Sequence, residues 1–196
     1  INYLLFIFNC YKFTGNLKPS KMVKSLILMG YMGCGKSALG KNLTQSKRFP
    51  FIDLDDYIES QEKISISEMF EKYGELHFRK KERFYLEKLL SDVSPSIIAL
   101  GGGTPCYFDN IDFINQNKNL ITVYLKTTPN TLAKRLFDQK DHRPMIDHLN
   151  TPEELEQFIA KHLFERVPYY IKAQHQIVTD DQSIGDLSQQ VEKILT

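Results

Sequence analysis

Gly30-Tyr31-Met32-Gly33-Cys34-Gly35-Lys36-Ser37 fits the pattern G-x-x-x-x-G-K-[ST]. Glycines let the backbone curl until successive N–H groups face phosphate oxygens, and the helix that follows adds the partial positive charge of its N-terminus. In that arrangement the Lys36 ammonium bridges the β- and γ-phosphates of a nucleoside triphosphate, and the Ser37 hydroxyl ligates Mg²⁺. The expected nucleotide-binding residues here are Gly33, Cys34, Gly35, Lys36, Ser37 and Ala38. The helix N-terminus would also favour the Cys34 thiolate, so a reactive thiol is expected inside the loop. The plain alternative is a glycine-rich turn with an exposed lysine.

A second group of residues offers acceptor chemistry. Phe51-Ile52-Asp53-Leu54-Asp55-Asp56 ends an apolar run with carboxylates, at the end of a strand where open α/β sheets bind ligands. Asp53 is placed to face the water shell of a magnesium ion, and Asp55 to accept hydrogen bonds from substrate hydroxyls. The competing role for these acids is to cap a helix beginning near Asp56. Arg79 has Glu75 four residues before it and Glu82 three after, which by itself describes an ion-pair ladder on a helix surface. Gly101-Gly102-Gly103 follows another apolar run and would bare backbone N–H groups to a ligand. Arg143 precedes Pro144 in a polar segment, and Arg166 follows a helical stretch; either alone reads as a solvated charge.

These groups need a frame. From Met22 onward, short apolar runs alternate with longer helical stretches, the pattern of a parallel sheet covered on both faces. Strands are expected at Ser25–Met29, Phe49–Asp53, Ser96–Leu100, Leu120–Leu125 and His175–Thr179, with helices at Lys36–Gln45, Ser67–Tyr73, Glu75–Ser91, Asn130–Asp138, Pro152–Glu165 and Ser183–Leu195. Thr151, Pro152 and Glu154 form a helix start signal. A mobile segment is expected near Gln139 to His148.

The 196 residues suit one domain with a small appendage. Three of the 25 basic residues and none of the 24 acids precede Met22, so the body carries two more acids than bases, and no field exists to hold a nucleic-acid backbone. Three scattered cysteines fit neither a disulfide framework nor a paired metal motif, and suit a reducing compartment. The apolar run at residues 3 to 8 is too short to span a bilayer and lacks the basic stretch of a signal peptide. Residues 1–21 are expected to lie outside the fold, as upstream translation or a dispensable extension, with an anchor or transit-like segment as the competing reading. No H-E-x-x-H or G-x-S-x-G pattern supports a zinc enzyme or a serine hydrolase.

From Met22 to the C-terminus the chain resembles the shikimate kinases. The resemblance rests on five motifs in family order: the phosphate loop at Gly30, F-x-D-x-D-x-x-I-E at Phe51, G-E-x-x-F-R-x-x-E at Gly74, G-G-G at Gly101, and R-P at Arg143 followed by R-x-P-x-Y at Arg166. It implies a three-layer P-loop NTPase fold, a five-stranded parallel sheet of order 2-3-1-4-5 with a small lid. It also implies transfer of the γ-phosphoryl group of ATP to the 3-hydroxyl of shikimate, with one Mg²⁺ per subunit, in a cytoplasmic monomer serving aromatic amino-acid biosynthesis. By motif, Lys36, Asp55 and Arg143 are implied as catalytic, with Arg143 as the lid arginine on the phosphates. Arg79 and Arg166 are implied to grip the shikimate carboxylate, Gly102 to touch shikimate through its backbone, and Gln182 to lie beside the adenine. The sequence departs from the family pattern at Ala38, Met145 and Ala173, none of which removes a reacting group. Two rivals stand beside this reading: another small-molecule P-loop kinase, such as a gluconate or nucleoside-monophosphate kinase, and a nucleotide-binding module without turnover.

Overall fold

The run Ser25–Met29 (β1) sits at the centre of the sheet because it has no polar face to show water: Leu26, Ile27, Leu28 and Met29 are all buried. The computed structural model describes residues 24–47, 49–91, 94–139 and 145–195. Around β1 lie Phe51–Asp53 (β2), Ile97–Ala99 (β3), Leu120–Lys126 (β4) and His175–Val178 (β5), in the order β2-β3-β1-β4-β5. Every pairing is parallel, with Leu28 registered against Ala99 on one side and Val123 on the other. The expected architecture and strand order are therefore those found. Parallel strands need crossovers, and helices supply them on both faces.

The helices are Lys36–Lys47 (α1), Leu54–Glu62 (α2), Ile66–Ser91 (α3), Asn110–Gln116 (α4), Pro129–Phe137 (α5), Pro152–Tyr170 (α6) and Ile184–Leu195 (α7). The two helices expected either side of Gly74 are one long element with a break at that glycine, whose φ of 77° and ψ of 167° lie outside the helical region. The capping box at Thr151 and Glu154 is formed as the sequence indicates. Several ends shift by one or two residues, α6 is longer than expected, and α4 is a helix where none is expected. β2 begins at Phe51 and not Phe49, since Pro50 has no N–H to give the ladder, although its carbonyl accepts from Ile97 N at 2.9 Å. α6 runs five residues past Glu165, through Pro168, with buried Tyr170 anchoring its end. α4 is seven residues long, shorter than the window over which helical periodicity is legible.

Among the described residues no helix is long and apolar enough to cross a membrane. The expectation for residues 1–21 lies outside the described residues, as do residues 140–144 of the segment expected to be mobile, Arg143 among them.

Candidate functional site

The loop between β1 and α1 is shaped by three glycines with positive φ: Gly30 at 146°, Gly33 at 79° and Gly35 at 103°. A Cβ at Gly30 would stand 2.7 Å from the Leu125 carbonyl oxygen, so close packing on β4 as well as the dihedral excludes larger residues there. The Lys36 ammonium folds back over the loop, donating to Gly30 O at 2.9 Å and Tyr31 O at 3.1 Å. Ser37 Oγ donates to Asp53 Oδ2 at 2.8 Å, so the two residues expected around a metal ion do meet. Asp53 also accepts from Asp55 N and caps α2. Its two oxygens face different partners, Oδ1 the cap and Oδ2 the Ser37 hydroxyl.

These groups line a cavity of about 620 Å³ together with Gly33, Gly35 and Ala38. Arg135, in the last turn of α5, lines it too, held by Thr179 O at 3.0 Å and Gly33 O at 3.5 Å. Sequence reasoning missed Arg135, because a basic residue in a last turn is ordinary helix chemistry. Gln182 does not line this cavity: its amide donates to Val178 O at 2.8 Å, and its carbonyl accepts from Gln190. The reactive thiol is corrected. Cys34 is wholly buried, its Sγ 3.8 Å from the Lys36 ammonium and its N–H spent on Tyr31 O, so no reagent reaches it in the folded chain.

The adjoining cavity, about 330 Å³, is lined by Asp55, Arg79, Glu82, Arg166 and the three glycines from Gly101 to Gly103. Arg79 does make both ladder contacts, to Glu82 at 3.0 Å and Glu75 at 3.3 Å. The ladder is not on the surface, however: Arg79 is 8% exposed and Glu82 is fully buried. The guanidinium lies 4.1 Å from the ring centroid of Tyr107. Burial opposes its charge, but Glu82 and the other neighbours outweigh that and raise its pKa, leaving a fixed cation at the wall. Glu82 takes a second bond from Thr104 Oγ1 at 2.7 Å, so the carboxylate that orients Arg79 is itself tied to the chain after the glycines. Close packing crowds two of the three glycines. A Cβ at Gly103 would stand 2.7 Å from Arg79 Nη2, and one at Gly101 2.7 Å from Asp55 Oδ1.

Asp55 opens α2 at the boundary of the two cavities. Burial, then the negative charges of Glu82 and Asp53, push its pKa up to about 7, against the pull of Lys36 and Arg79. A carboxyl poised there can hold or release a proton near neutrality. Arg166 arrives from α6, its guanidinium 5.3 Å from the ring centroid of Tyr31. Tyr170, one turn on, donates to Gly102 O. Of the expected site residues, Lys36, Ser37, Asp53, Asp55, Arg79, Gly102 and Arg166 are thus brought to one pair of adjoining cavities; Arg143 lies outside the described residues.

A phosphate loop on a 2-3-1-4-5 parallel sheet, joined to a small pocket walled by arginines, defines a P-loop small-molecule kinase. The family model for shikimate kinase matches residues 32–196. Shikimate kinase from Flavobacterium johnsoniae is 43% identical over 173 residues, covering 88% of this chain and 99% of its own length. Among solved structures, shikimate kinase from Bacteroides thetaiotaomicron (35% identity, TM-score 0.80) covers 88% of this chain and 98% of its own. Shikimate kinase from Acinetobacter baumannii in complex with shikimate (30% identity, TM-score 0.77) covers 88% and 93%. A gluconokinase from Sinorhizobium meliloti, at 15% identity and a TM-score of 0.50, shares the fold alone. The chain belongs to the shikimate kinase family.

Proposed function

We propose that the protein transfers the γ-phosphoryl group of ATP to the 3-hydroxyl of shikimate. The observation that carries this is the sharing of residues between the two cavities: Met32, Asp55, Gly101 and Gly102 line both. A triphosphate tail on the Lys36 loop and an acceptor between Arg79 and Arg166 would therefore meet at Asp55. The acceptor pocket has cations on its wall and a carboxyl at its inner end, which suits a small polyol acid held by its carboxylate, with its hydroxyls turned to Asp55.

Transfer forms a bond between the acceptor oxygen and γ-phosphorus, breaks the bond from that phosphorus to the bridging oxygen, and releases ADP. The hydroxyl proton passes to Asp55 late, because a loose transition state asks little of a base early. Lys36 stabilises charge on the transferring group, and Arg143, by family resemblance, joins it from the lid. For Mg²⁺ the residues fit. Ser37 Oγ and Asp53 offer hard oxygen donors at the phosphate end, and no cluster of three or more metal-binding side chains occurs among the described residues. Such a sparse set suits an ion shared with nucleotide phosphates and water. Bound there, Mg²⁺ would neutralise phosphate charge. We also place the protein in the cytoplasm as a monomer.

A coupled ADP-release assay over shikimate, gluconate and nucleoside monophosphates tests this reading. Release driven by shikimate alone is expected; equal or greater turnover with another acceptor would overturn it.

A further inference from the structure

Tyr31 is the second residue of the phosphate loop, yet its side chain does nothing for phosphate: it is 1% exposed and points away into α6. Its hydroxyl lies 3.1 Å from His162 Nδ1. The two rings meet edge to face with centroids 6.3 Å apart, and the far side of the imidazole packs on Phe158 at 4.2 Å. His162 is one turn before Arg166 on α6, and that guanidinium sits over the Tyr31 ring. The backbone carbonyl of the same tyrosine accepts from the Lys36 ammonium at 3.1 Å. One residue therefore touches the cation of the phosphate site through its carbonyl, the cation of the acceptor site through its ring face, and the helix carrying that second cation through its hydroxyl.

We propose that the Tyr31–His162 hydrogen bond is a positioning device that holds the α6 turn carrying Arg166 against the phosphate loop, so that the guanidinium is preset to grip the acceptor carboxylate. Neither side chain touches the cavity that holds the phosphate-loop groups. A hydroxyl on a buried ring is costly unless paired, and this one is paired with the helix turn that presents Arg166. The bond joins two neutral groups. Burial pushes the Tyr31 hydroxyl up to about 12, and burial, then Arg166, holds His162 below its usual range. Both partners are therefore neutral, and the hydroxyl and Nδ1 share one proton between them at 3.1 Å. Tyr170, one turn further along α6, ties the same helix to Gly102 O.

The inference rests on shikimate being the acceptor, and the test separates the two. Tyr31→Phe and His162→Ala are each expected to raise the shikimate KM about five-fold, with kcat and the ATP KM within about two-fold of the parent, since only ground-state placement of the carboxylate is disturbed. His162→Asn, whose amide oxygen takes the place of Nδ1, is expected to restore the parent KM. Combining Tyr31→Phe with His162→Ala should cost no more than either alone. The Arg166 Nε–Hε resonance in ¹⁵N-labelled, ligand-free protein supplies a readout independent of any acceptor: it should shift in Tyr31→Phe and His162→Ala and return in His162→Asn. An unmoved Arg166 resonance, an unchanged shikimate KM, or an asparagine variant no better than alanine would each overturn the pairing. A parent protein inactive on shikimate would instead overturn the proposed function, leaving the resonance series to decide on the pair.

Discussion

Asp55 and Arg79 lie near one buried carboxylate, Glu82, which raises the pKa of both and so favours the neutral acid and the charged guanidinium. The negative charge that keeps Arg79 cationic helps burial to lift Asp55 to about 7. Two consequences can be measured. If Asp55 accepts the hydroxyl proton, kcat/KM for shikimate should rise with pH through a midpoint near 7, and Asp55→Asn should lose that limb along with about a hundred-fold or more in kcat. A pH profile unchanged by the substitution would remove Asp55 from proton transfer. Stability follows the reverse sense. A carboxyl raised from 3.8 to about 7 binds its proton more tightly folded than unfolded, so its contribution is whole below about pH 4 and is lost as pH rises through 7. Chemical denaturation from pH 4 to 8 should show a shallower decline for Asp55→Asn than for the parent. Much of this was legible in the sequence: the acids at Asp53 and Asp55 and the flanking glutamates of Arg79 are spacing facts. What spacing does not reveal is depth. Arg79 between two glutamates looks identical on a wet helix face and in a buried wall, and only the packing of Tyr107 and the glycine chain decides between them.

At the scale of elements, the site is held by close approaches that tolerate no added atom. Gly103→Ala would drive a methyl group into the Arg79 guanidinium; the expected result is a shikimate KM raised about ten-fold or more while ATP binding is kept, since the phosphate loop is untouched. Gly40 on α1 offers the matching structural control. A Cβ there would lie 2.2 Å from the Phe51 ring of β2, so Gly40→Ala should cost about 1–3 kcal/mol of stability by overpacking, seen as a lowered denaturation midpoint with kinetics retained in the folded fraction. An unchanged midpoint would mean that the Phe51 ring turns aside at no cost. Strands were readable because buried parallel strands are continuous apolar runs, as in β1 and β4. The break at Gly74 was readable as two helical segments. α4 was not, being too short for its period to emerge, and α6 was cut short because Pro168 reads as a terminator whereas the burial of Tyr170 carries the helix beyond it.

At the scale of the whole molecule, the parallel sheet puts the phosphate loop, the β2 end and the glycine chain after β3 side by side, because β1, β3 and β2 are neighbours in the sheet though not in the sequence. Strand order is what brings Asp55 between two cavities. Full burial of Cys34, with the partly buried Cys106 thiol pushed up to about 11 by desolvation, predicts that a thiol-alkylating reagent leaves turnover of the folded protein unchanged; rapid inactivation protected by ATP would show that the loop opens.

The claim on which all of this depends is that paired guanidinium groups read a carboxylate beside the phosphate loop. Titration of the protein with shikimate and with its methyl ester, which keeps the ring and the hydroxyls but removes the negative charge, tests it directly. Esterification should weaken binding about a hundred-fold or more, the size expected when charge-assisted bonds from Arg79 and Arg166 lose their partner. Equal affinity for acid and ester would contradict it.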